Sequence, residues 1–244
     1  MSITHERKKL WFDGTDLSTF GVYISGSGVF DSPDPDVEFV QIPGRSGDLI
    51  RNRNRFSNFE VTYPASFIRE DFDDNFRRLK AFLFSRVGKY CEIEDSYQPN
   101  HFRMGAIESG LSVAEICWTG NAGSFDLRFN CKPQLFLKAG KNNFALSGTS
   151  GTITNETSFM ALPILRITGT GTVTIGDVTV TIASHGFPFI DVDSDLMDCS
   201  YYGQNANPYV TLTAESYPFL RPGANNYQIN GPSRVIVTPR WWTL

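Results

Sequence analysis

No apolar run in the 244 residues approaches the length of a bilayer-spanning helix, so no transmembrane segment and no membrane insertion are expected. The opening Met1-Ser2-Ile3-Thr4-His5-Glu6-Arg7 has no apolar core behind its charges, so no secretory leader is expected, and the chain should stay in a cytoplasm until it is assembled. A basic excess is missing too. Lys and Arg number 22 against 26 Asp and Glu, for a net charge of −4 and a pI near 5.4, which argues against a general nucleic-acid-binding surface.

Cysteine and histidine are scarce. Cys91, Cys117, Cys131 and Cys199 are widely spaced, with no C-x-x-C pair and no histidine beside them. Zinc needs close ligand pairs to fix a tetrahedron, so buried free thiols are expected instead. His5, His101 and His185 are isolated, and Ser184 beside His185 is not in a G-x-S-x-G elbow. Glu92, Glu94 and Asp95 could supply paired carboxylates, with Glu92 and Glu94 on one strand face, but surface charge explains them as well. Asp191-Val192-Asp193-Ser194-Asp195 starts like a calcium loop. It then has Leu196 where a glycine is needed and Tyr202 where a bidentate glutamate is needed, so a strand ending in an acidic turn is expected. No enzyme, metal or cofactor is indicated.

What is present is aromatic mass and turn residues. Aromatics make up 14% of the chain, with 20 Phe, and there are 21 Gly and 13 Pro, a mixture suited to many short strands. Charge thins out along the chain. Residues 1–139 carry 17 basic and 19 acidic side chains, residues 140–244 only 5 and 7, and Lys138-Ala139-Gly140-Lys141-Asn142-Asn143 at the change reads as a linker or turn. Two domains are therefore expected, 1–139 and 140–244.

In the first, strand-like segments include Leu10-Trp11-Phe12 before Asp13-Gly14, Phe20 to Ile24, Glu38 to Ile42 before Pro43-Gly44, Phe59 to Tyr63, Tyr90 to Glu94, Phe102 to Ala106, Ser112 to Trp118 and Ser124 to Cys131. One helix is expected from Glu70 to Arg86, with Phe72, Phe76, Leu79, Phe82 and Leu83 on one face. Its acids come first, its bases follow, and Gly88 supplies a left-handed stop. The second domain shows only short strands, with Gly176-Asp177 as a hairpin turn, which indicates a β-sandwich.

Arg51, Arg53 and Arg55 alternate with Asn52 and Asn54, which on a strand aligns three arginines on one face. They could contact an acidic neighbour at a subunit edge, with Asp34 and Asp36 as candidate partners, or contact DNA, or form a solvated strand or loop. Trp241 and Trp242 could stack on sugars or pack the terminal strand.

Several segments, in order, resemble the distal tail protein (Dit) family of long-tailed bacteriophages and prophages: Phe12-Asp13-Gly14, Phe20-Gly21-Val22, Gln41-Ile42-Pro43-Gly44-Arg45-Ser46-Gly47, the Glu70–Arg86 helix, Phe129-Asn130-Cys131-Lys132-Pro133-Gln134, Pro163 to Gly171, and Phe219-Leu220-Arg221-Pro222-Gly223-Ala224-Asn225. The resemblance implies a mainly β fold. An N-terminal β-sandwich-like domain with one amphipathic helix would form a hexameric ring, followed by a galectin-like β-sandwich hanging outside. The ring would join the tail-tube protein to tail-tip or baseplate proteins in the virion tail, after assembly in the bacterial host cytoplasm, and DNA would pass through it without specific binding. A carbohydrate-binding module is the alternative, and it would need an exposed aromatic platform; the galectin sugar signature, a histidine–asparagine–arginine set followed by W-G-x-E, is not present. A cell-wall hydrolase is disfavoured by the missing catalytic set.

Overall fold

A computed structural model describes residues 7–26, 29–68, 71–116, 122–213 and 216–244, apart from the side chains of 114–116. The chain divides into two compact units, Met1–Leu135 with Leu244, and Phe136–Thr243. The first contains β1 (Leu10–Phe12), β2 (Thr15–Asp16), β3 (Val22–Ile24), β4 (Pro35–Val40), β5 (Leu49–Phe56), β6 (Phe59–Ile68), α1 (Phe72–Phe84), β7 (Cys91–Asp95), β8 (His101–Ile107), β9 (Val113–Ile116) and all but the last two residues of β10 (Ala122–Leu137). Its main sheet runs β2-β1-β7-β8-β10-β6-β3, with β9 also on β10, while among the described residues β4 and β5 pair only with each other.

The strands that carry the core alternate as a one-sided sheet requires. Val61, Tyr63, Ala65 and Phe67 of β6 face inward opposite Phe125, Leu127 and Phe129 of β10. Helix α1 closes this face. Leu79 and Leu83 are fully buried, Phe76 is 7% exposed, and Phe72 and Phe82 pack at the margin. Phe76 meets Phe125 edge-on at 5.4 Å, Phe72 meets Phe67 at 4.7 Å, and Phe82 meets Phe12 at 6.2 Å.

The helix is shorter than its sequence pattern. Glu70 lies outside the described residues, and Asp71 adopts left-handed φ 60 as N-cap. After Ser85 the backbone continues in tighter turns, Arg86 N–H to Leu83 O and Val87 N–H to Phe84 O, before Gly88 at φ 83. No base sits in the last helical turn; Arg86 instead reaches back from beyond it, donating to Phe82 O at 3.0 Å and to Asp13 at 2.6 Å while its guanidinium covers the Phe82 ring. The strand expected from Phe20 begins at Val22 instead, because Leu17–Phe20 forms a 3-10 turn that Asp16 caps by accepting from Ser18 N–H and Gly21 ends at φ 83.

The second unit contains β11 (Phe144–Ala145), β12 (Ser150–Asn155), β13 (Ile164–Thr168), β14 (Gly171–Ile175), β15 (Val178–Ile182), β16 (Ile190–Asp193), β17 (Asp198–Tyr201), β18 (Gln204–Asn205), β19 (Val210–Leu212), β20 (Gly223–Asn230), β21 (Arg234–Thr238) and β22 (Trp242–Thr243). Two antiparallel sheets, β11-β21-β13-β16-β17-β18 and β12-β20-β14-β15-β19, supply one core. Leu165, Ile167, Ile190, Val192, Val235 and Val237 come from the first sheet, and Ile153, Val173, Ile175, Val180 and Ile182 from the second. This is a β-sandwich. Gly176 at φ 56 turns β14 into β15 as the Gly-Asp pair suggests. Lys138–Lys141 is a 3-10 turn with Gly140 buried; a Cβ there would come within 2.4 Å of Trp241 N, so glycine is needed for close backbone approach.

Candidate assembly interface

The three arginines lie on β5, in the two-stranded arm. Pairing sets Glu38 opposite Arg51, Phe39 opposite Ile50 and Val40 opposite Leu49. Because side chains alternate along each strand, the arm has two unlike faces. One is a charge ladder. Arg51 stands 3.7 Å from Glu38, Arg53 bridges Glu38 at 3.6 Å and Asp36 at 3.8 Å, and Arg55 donates to Asp36 at 2.5 Å. Three cations thus share two carboxylates, and all three arginines are more than half exposed. Exposed pairs of this kind contribute about 0–1 kcal/mol each. Asn54 departs from strand geometry at φ 55, where its N–H donates to the Asn52 side chain at 2.8 Å, so the simple alternation of arginines breaks before Arg55. Asp34 takes another part: its carbonyl accepts from Ser57 N–H at the root of the arm.

The other face is apolar. Val37 and Phe39 of β4 share it with Ile50 of β5, with Asn52 opposite Val37 as its polar member, and Phe39 and Ile50 remain 64% and 63% exposed. Two-stranded ribbons are marginal in water without a cover for such a face. In sequence, Glu38–Ile42 reads as an ordinary alternating strand; nothing local distinguishes a strand with a buried face from one whose face is left open.

The remaining candidates resolve into structural roles. Asp191 is held by Arg166 through two 2.8 Å hydrogen bonds, and Asp193 by Arg240 at 2.6 and 2.7 Å, so the first two acids of the calcium-like stretch are engaged by arginines. Asp193 also accepts from Asp195 and Leu196 N–H, closing the acidic turn. Among the described residues no cluster of His, Cys, Asp or Glu could hold a metal. Asp95 is buried and accepts from Tyr63 Oη, Tyr97 N–H and Gln98 N–H, whereas Glu92 and Glu94 share the opposite face of β7. His101 and His185 belong to different units, and His5 lies outside the described residues.

Burial pushes the thiols of Cys131 and Cys199 up to about 12 and about 11, which keeps them protonated. Cys91 is also a buried free thiol, and Cys117 lies outside the described residues. Trp242 stacks on Phe159 at 4.4 Å and donates to Met160 O at 2.8 Å, while Trp241 packs beside the core of the second unit. The terminal tryptophans pack the sandwich.

No family model matches the sequence, and no curated protein matches it. In structure the chain is similar to the crystal structure of the Dit protein (gp 19.1) of phage SPP1, described as a paradigm of the hub adsorption apparatus in phages that infect Gram-positive bacteria. The TM-score is 0.68 at 17% identity, over 95% of this chain and 98% of that one. The likeness establishes a shared fold. The mainly β architecture expected from the resemblance to distal tail proteins is the one observed.

Proposed function

We propose that the chain is a non-enzymatic structural hub of a bacteriophage or prophage tail. The observation that carries this reading is a fold shared with a phage hub protein across nearly the whole of both chains. In this reading residues 1–139 assemble as a ring of six around a passage for DNA. Residues 140–244 form a peripheral, galectin-like sandwich. The ring joins the tail-tube protein to tip or baseplate proteins after assembly in the host cytoplasm. A net charge of −4 suits a passage that lets DNA through without holding it.

The arm gives the proposal a surface. Ring contacts set one patch against a different patch of the next copy. We place Arg51, Arg53, Arg55 and the Phe39–Ile50 face at that contact, with a second copy of this chain as the occupant. The apolar face would lose its exposure there. The ladder, with three cations over two carboxylates, would offer its surplus charge to an acidic neighbour.

Electron microscopy of the purified protein, alone and mixed with its tail-tube neighbour, tests the reading. Six-membered rings are expected in at least one of these preparations. Their absence from both would overturn it.

A further inference from the structure

A second surface lies on the outer face of the six-stranded sheet in the second unit. Pairing places Arg166 of β13, Asp191 of β16, Ser200 of β17 and Asn205 of β18 opposite one another across four strands. Their chain neighbours Leu165, Val192 and Cys199 are buried, so this row faces outward. Arg166 uses Nε and Nη2 on Asp191, and its guanidinium lies over the Phe189 ring, 4.1 Å from the centroid. Phe189 in turn meets Tyr201 and Tyr202 edge-on at 5.0 and 5.3 Å.

Tyr202 is the ring that stability does not explain. β17 and β18 are joined by the two-residue turn Tyr202-Gly203, with Tyr201 opposite Gln204. Both turn residues have positive φ, 46° and 81°. This is the hairpin turn that favours Asn-Gly, because a Cβ resists the left-handed conformation. A tyrosine there is strained, and it buries little in return, since it is 74% exposed. Backbone strain spent on an exposed aromatic, beside a guanidinium–carboxylate pair, points to recognition rather than to packing.

We propose that this face binds a neutral, hexose-containing polysaccharide. The apolar face of a sugar ring packs on the open Tyr202 ring. Adjacent hydroxyls meet Arg166 Nη1, which makes no hydrogen bond among the described residues, and the remaining lone pairs of Asp191. Because Arg166 and Asp191 neutralise each other, the site does not select a polyanion. A protein partner would cover on the order of 800 Å², whereas these rings are confined to one corner of one sheet. The inference does not rest on ring formation.

Affinity electrophoresis of the full chain through gels containing mannan, laminarin, galactan or dextran, with dextran sulfate as the polyanion, tests it. At least one neutral polymer should retard the protein, and dextran sulfate should not. Tyr202→Asn suits the turn and should melt no lower than wild type, yet lose about tenfold in apparent affinity, the scale of an aromatic contact. Tyr202→Phe should keep the retardation. The proposal is overturned if no neutral polymer retards the wild type, if Tyr202→Asn is retarded equally, or if only dextran sulfate retards the protein. It is also overturned if Tyr202→Asn instead loses association with tail proteins, which would make the corner a protein interface. Rings that form normally in Tyr202→Asn keep this test separate from that of the hub.

Discussion

Helix α1 and the β4–β5 arm are both amphipathic, and the first unit treats them in opposite ways. The helix lays Phe76, Leu79 and Leu83 on the sheet and buries them. The arm presents Phe39 and Ile50 to solvent and, among the described residues, pairs with no other strand. The same contrast holds for ion pairs. Arg240 and Asp193 meet in a half-buried, two-bond geometry, whereas the arginine ladder of the arm is exposed. Apolar periodicity therefore reports that a face exists, and only tertiary structure says whether the chain itself covers it.

The largest expected effect is on the covered side. Phe76→Ala should lower stability by about 3–5 kcal/mol in denaturant unfolding, since it opens a cavity between α1 and Phe125. A change below about 1 kcal/mol would mean that α1 is not anchored by this face.

Next comes the half-buried ion pair. Arg240→Gln leaves the Asp193 carboxylate without its main partner and should cost about 1–3 kcal/mol. Burial alone would raise the Asp193 pKa, but hydrogen bonds from Arg240, Leu196 N–H and Asp195 N–H, with the Arg240 charge, bring it below the ordinary 3.8. A carboxyl whose folded pKa is depressed stabilises the fold above its unfolded value and loses that contribution as pH falls through the folded one. Thermal melts between about pH 6 and pH 3 should show an acid-side loss in the wild type that shrinks in Arg240→Gln. An equal loss in both would remove this pair from the account.

The smallest stability effects belong to the arm. Phe39→Thr with Ile50→Thr should change unfolding by no more than about 0.5 kcal/mol, as uncovered surface positions do. Arg51→Glu, Arg53→Glu and Arg55→Glu together should leave both units folded by circular dichroism, because the exposed ladder contributes little. Both variants should nevertheless stop rings from forming. Rings that persist in the triple variant would take the arginines out of the interface.

Much of the covered structure was legible. The 3.6-residue spacing of Phe72, Phe76, Leu79 and Leu83 marked α1, and the alternation of Phe59, Val61 and Tyr63 marked the inner face of β6. What stayed hidden depends on register and distance along the chain. Arg51 finds Glu38 only once β4 and β5 are paired, and Asp191 and Asp193 of the calcium-like stretch are engaged by Arg166 and Arg240, each remote in sequence. Strand β10 runs 16 residues, past the expected end at Cys131. Its pairing with β6 ends at Cys131, so Pro133, lacking an N–H, interrupts no bond of that ladder. Tyr202 is legible only as the residue that spoils a calcium loop, because a tyrosine in a tight turn carries no turn signal.

The central claim is that the arm is open in the isolated chain and covered in the assembly. Amide hydrogen exchange on separated single chains and rings measures this directly. The account predicts fast exchange across 35–56 in the single chain, strong protection of the same segment in the ring, and no change in the protection of α1. An arm that is already protected in the single chain, or still exchanging freely in the ring, would contradict it.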